Sequence, residues 1–143
     1  MVELLHSASC ARIHYHPTAR VLEVEWLAFS SGEEFRDVLR QAISLAIERG
    51  ATGWLANSEH MRTLREADQQ WLLTEFMPVF SRLELQRFAM VRCRDAMARM
   101  SLANVTGEKA AAFLPSQVRE FETRTGALAW LGQSQSEALS EAA

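Results

Sequence analysis

The chain has 143 residues, 48% hydrophobic and 23% charged, with 15 basic against 18 acidic side chains and a formal charge of −3. That length suits one domain with a core of its own, and the composition excludes an intrinsically disordered chain. Without a basic patch or a block of like charge, nucleic acid is not an expected partner; without an apolar run near the roughly 18 residues of a spanning helix, neither is integral membrane association.

Cys10 and Cys93 are the only cysteines, too few for a disulfide framework, and the opening Met-Val-Glu-Leu-Leu-His has no basic region ahead of an apolar one. A cytoplasmic protein with reduced thiols is expected. The first clear element is Arg12-Ile-His-Tyr-His-Pro-Thr-Ala-Arg-Val-Leu-Glu-Val-Glu-Trp26, two alternating strands joined through Pro17-Thr18-Ala19. Centring the turn on Thr18 and Ala19 sets Tyr15 opposite Leu22 and Ile13 opposite Val24 on an apolar face. His14 then faces Glu23, and Arg12 faces Glu25, on a polar face expected to be solvated.

Ser31-Gly-Glu-Glu34 has the spacing of a capping box, and Phe35, Val38, Leu39, Ala42, Ile43 and Ala46 form the apolar stripe of a helix that Gly50 ends. Thr52-Gly-Trp-Leu-Ala56 reads as a buried strand. A second capping box, Thr63-Leu-Arg-Glu66, precedes a helix through Ala67, Trp71, Leu72 and Phe76 that Pro78 should stop or bend. Arg87-Phe-Ala-Met-Val-Arg-Cys93 is a further strand, and Asp95 opens a short helix through Met97, Met100 and Leu102. Residues Asn104 to Lys109 read as a loop, Gln117 to Glu122 as a short edge strand, and Thr123 or Thr125 as the cap of a last helix carrying Leu128, Trp130 and Leu131. Strands alternating with helices behind a hairpin predict an α/β fold: a two-layer or sandwich mixed sheet opened by an antiparallel hairpin. The expected organisation is a single domain over 1–131 and a flexible tail over 132–143.

From Arg12 to Leu131 the order of elements resembles the SpoIIAA-like group, also described as STAS/SEC14-like domains. The resemblance rests on the hairpin with Leu22-Glu-Val-Glu-Trp26, the helix ending at Gly50, the strand Trp54-Leu-Ala-Asn57, the helix end from Trp71 to Pro78 and the closing Ala129-Trp-Leu131. It implies a non-enzymatic regulatory, signalling or ligand-binding module. In the anti-sigma antagonist branch a serine or threonine after the central strand is phosphorylated, and Asn57 and Ser58 occupy the matching positions. They depart from that pattern, because Asn57 replaces an aspartate and Glu59-His-Met-Arg-Thr-Leu64 intervenes before the helix. The lipid-carrier branch implies a deep apolar pocket behind a gate helix, and this chain is short for the helical subdomain that builds one.

Asn57, Ser58, Arg62 and Arg65 are the residues expected to border a ligand or partner site, since α/β sheets bind at the carboxyl ends of their strands and arginines hold anions. The expected partner is a protein or a small apolar or anionic ligand. Trp26, Trp54, Trp71 and Trp130 serve core packing first; alternatively, with Phe29, Phe76, Phe80, Met77 and Met90, they surround a cavity. The competing readings are a metal- or thiol-dependent enzyme using His14 and His16, with His60 or Cys93, and a structural homodimer. No H-E-x-x-H, paired C-x-x-C, glycine-rich phosphate loop or nucleophile elbow occurs, and no cofactor is called for.

Overall fold

The computed structural model describes the backbone of residues 1–142 and the side chains of residues 1–133. Its centre is a six-stranded mixed sheet whose strands lie side by side in chain order. These are β1 (Glu3–Ser7), β2 (Ala11–His16), β3 (Val21–Trp26), β4 (Gly53–Asn57), β5 (Arg87–Val91) and β6 (Gln117–Phe121). The first three pair antiparallel, and β3 to β6 pair parallel. The α/β class, the mixed sheet and the hairpin of β2 and β3 are as the sequence predicts, down to the register, although β1 rather than the hairpin opens the sheet: Tyr15 pairs with Leu22, Ile13 with Val24, His14 with Glu23 and Arg12 with Glu25. Arg20 closes the hairpin in the left-handed region at φ 57°. Its carbonyl accepts the amides of Thr52 and Gly53, and its guanidinium donates to the Gly50 carbonyl, so cross-links to β4 hold a conformation that a side chain ordinarily avoids. Strand β1 was not foreseen, because a bulge between Leu4 and His6 breaks its alternation. Cys10, in the turn between β1 and β2, is buried in the core.

Helices α1 (Gly32–Arg49), α2 (Glu66–Trp71), α3 (Met77–Phe80), α4 (Ala96–Thr106) and α5 (Glu108–Ala111) pack over one face of the sheet, on Ile13, Tyr15, Leu22, Val24, Trp54, Phe88 and Met90. The last helix, α6 (Arg124–Ala142), lies on the other face, where Ala127 and Leu131 meet Val21, Leu55, Ala89 and Val91. Helical backbone thus continues past Gly132, within the stretch 132–143 read as a tail; Ala143 lies outside the described residues.

Both capping boxes are corrected. Ser31 makes no capping hydrogen bond; the buried carboxylate of Asp68 accepts the Gly32 amide at 3.1 and 3.2 Å and caps α1 from another helix. Thr63 makes no capping hydrogen bond among the described residues, and α2 starts at Glu66 after Arg65. Asp95 and Thr123 do cap their helices, accepting the amides of Met97 and Ala98 and of Gly126. The expected loop from Asn104 to Lys109 is mostly helical, spanning the end of α4 and the start of α5.

Pro78 neither stops nor sharply ends its helix. A π-helical turn, Leu72–Phe76, joins α2 to α3, and the Met77 amide reaches back to the Leu72 carbonyl. That widening relieves the clash a proline ring makes with the carbonyl four residues earlier, here Thr74.

Candidate functional site

The two faces of β4 lead to two different environments, one polar and one apolar. On the α6 face, Asn57 joins a buried cluster around Glu23, whose side chain is 0% exposed. His16, on β2, lies 2.8 Å from one Glu23 oxygen; Asn57 donates to the other at 3.0 Å; and Arg124 at the start of α6 grips both, at 2.7 and 2.8 Å. Burial pushes the Glu23 carboxyl up, but the hydrogen bonds from His16, Arg124 and Asn57 outweigh it and hold the pKa at about 2. An ionised carboxylate only accepts, so His16 donates through Nε2. The expected solvated face is therefore corrected at the turn end, where His16 is 7% exposed and Glu23 is buried, while Arg12 at the other end is exposed. His14 bonds a different carboxylate, Glu25, at 2.9 Å, and no group of three or more metal-ligating side chains converges among the described residues.

On the opposite face, a cavity of about 70 Å³ lies between the sheet and the α2–π–α3 segment. Its walls are Val24, Trp26, Trp54 and Met90 from strands and Phe35, Leu72, Phe76 and Val105 from helices. Bulky side chains arrive here because β3, β4 and β5 present every second residue to one face while the π turn shifts the phase of Leu72 and Phe76. Trp54 meets Phe80 edge to face at 5.0 Å between centroids, and Trp26 stacks on Phe35 at 5.1 Å. Ser58 is on the wall, 1% exposed, and its hydroxyl makes no hydrogen bond among the described residues. Phe29, grouped with these aromatics in the sequence, is exposed and away from the cavity.

The structure does not gather the sequence-derived set around one pocket. Asn57 faces α6 and Ser58 the cavity. Arg62 is exposed, 3.6 Å from Asp95, on a shallow surface groove with His60; Arg65 is exposed at the start of α2. Glu23 and Arg124 are the polar residues the sequence reading missed. Glu23 sits in an alternating strand like any solvent-facing residue, and Arg124 is 101 positions away, so no local pattern joins them.

Both cysteines are buried and free. Burial, then Glu34, pushes the Cys10 thiol up to about 11. Burial also raises the Cys93 thiol against the pull of Arg99, which favours the protonated form over a nucleophilic thiolate. No family model, no curated protein and no solved structure matches the chain.

Proposed function

We propose that the protein is a non-enzymatic, cytoplasmic ligand-binding or regulatory module of STAS-like fold that takes a small apolar ligand into the cavity beneath the α2–π–α3 segment. The observation that carries this reading is the cavity itself, an apolar space with a single free hydroxyl, Ser58, on its wall. At roughly 30 Å³ per water-sized group, 70 Å³ admits two or three non-hydrogen atoms as it stands. A longer chain enters if the roof moves. Met61, Met77 and Met90 on the lining are adaptable, and the π turn is the least regular part of the helical layer. Support for the STAS-like part comes from the strand order and from the helices packed on one face between β3 and β6. Phosphorylation of Ser58 is not part of the proposal, since a kinase cannot reach a hydroxyl so fully buried.

The test is a titration with straight-chain alcohols from butanol to octanol, read by the fluorescence of Trp26 and Trp54, which line the cavity. Affinity is expected to rise about fourfold per added methylene for as long as the roof moves to admit the longer chain, following about 0.8 kcal/mol for each one buried. Ala56→Val, which fills the cavity from β4, is expected to abolish the response. Quenching that never saturates, or that persists unchanged in Ala56→Val, removes the reading.

A further inference from the structure

The geometry points to a second, separate site: a crevice at the carboxyl ends of β5 and β6 that binds the phosphate group of a small phosphomonoester through Arg92, Arg94 and Arg99. The topology selects the place. After β5 the chain turns to α4, which packs on the Trp54 face of the sheet; after the neighbouring β6 it turns to α6, which packs on the Leu55 face. Adjacent parallel strands whose connections leave on opposite faces open a crevice between them, and in open α/β sheets ligands bind in such crevices. A groove of about 530 Å³ lies there, within the size range of small-molecule sites.

Its lining carries a surplus of positive charge. Arg92, Arg94, Arg99 and Arg124 meet Glu59 and Glu122. Arg124 is spent on Glu23, within the cluster already described. Arg94 pairs with Glu59 at 2.7 Å and Arg92 with Glu122 at 3.4 Å, but both arginines are exposed and such pairs hold only weakly, so either guanidinium can exchange its carboxylate for a ligand. Arg99 is different. One nitrogen donates to the carbonyls of Cys93 and Arg94, at 2.9 and 3.0 Å, and no carboxylate lies within ion-pair distance of it among the described residues. It is a cation fixed by the main chain; the carboxylate of Asp95, one helical turn earlier, acts on it from beyond contact distance while capping α4 and pairing with Arg62, so no direct ion pair occupies Arg99 among the described residues. A phosphate dianion, with three oxygens for three guanidinium groups, satisfies that arrangement better than a monovalent carboxylate.

This site does not depend on the apolar cavity, which lies under the helical layer. It is tested by calorimetric titration of the full chain with inorganic phosphate at constant ionic strength, sodium chloride replacing phosphate in the control. Saturable binding of one phosphate is expected, weakened tenfold or more in Arg99→Gln, severalfold in Arg94→Gln, and not at all in Arg62→Gln, whose side chain borders the adjoining groove. No saturable binding overturns the proposal. Equal weakening in Arg62→Gln overturns it too, since that means general charge attraction. Should Arg99→Gln fail to fold, the double variant Arg92→Gln/Arg94→Gln decides the matter, with unchanged affinity counting against the site.

Discussion

Glu23 is the residue that ties His16, Asn57 and Arg124 into one cluster on the α6 face. A buried carboxylate receiving hydrogen bonds from His16, Asn57 and Arg124 is stable only while all of them remain, because removing one member of a buried ionic cluster leaves the others desolvated and unpaired. Glu23→Gln is therefore expected to lower stability by about 3 kcal/mol in urea unfolding, at the lower end for buried pairs because the Arg124 side chain keeps 38% exposure. The pH dependence has a definite sign. The folded carboxyl titrates at about 2 against an ordinary 4.5, so its contribution is complete above about pH 4.5 and is lost as the pH falls through about 2. Unfolding free energy should drop by about 3 kcal/mol over that window and drop less in Glu23→Gln; parallel profiles for the two proteins would falsify the assignment. None of this was legible from the hairpin alone. The alternation that correctly paired His14 with Glu23 also made both look solvent-facing, because a strand records which residues share a face and not what covers it.

At the scale of elements, local signals succeeded where the partner was local. Asp95 and Thr123 cap their own helices, and Gly50 ends α1 in the left-handed conformation at φ 67°. They failed where a distant group did the same work better. Ser31 has the right type and spacing, yet the carboxylate of Asp68 takes the amide of Gly32, 36 positions before it, at the start of α1. Ser31→Ala is accordingly expected to change stability by less than about 0.5 kcal/mol, while Asp68→Ala costs about 2 kcal/mol, by losing the cap and its pairing with Arg36. Thermal or urea unfolding of the two variants checks the order, and a larger effect for Ser31→Ala would restore the capping box. Pro78 teaches a related lesson, since a proline signals strain without saying where the helix absorbs it. Here the π turn upstream absorbs it, at the roof of the cavity.

For the molecule as a whole, the class, the strand sequence from β2 onward and the apolar stripe of α1 were readable from periodicity, whereas the site was not, since it is made by tertiary neighbours. The cavity needs Val105 and Thr106 from α4, part of which read as loop, together with a π phase shift that no periodicity announces. Filling it should also register globally: Ala56→Val is expected to raise stability by about 1 kcal/mol, seen as a higher unfolding midpoint, because a central-strand methyl pair replaces empty space. The second face depends on one helix. A chain ending at Glu122 leaves Val21, Leu55, Ala89 and Val91 uncovered and Glu23 without its guanidinium, and it is expected to lose cooperative unfolding.

That dependence has a consequence for biosynthesis. Arg124 leaves the ribosome 101 residues after Glu23, so until α6 is made the nascent sheet carries that carboxylate without its guanidinium, beside a bare apolar face. The helices of the other layer are synthesised in step with the strands they cover, but the second face closes only when α6 arrives, and until then its exposed apolar surface favours aggregation.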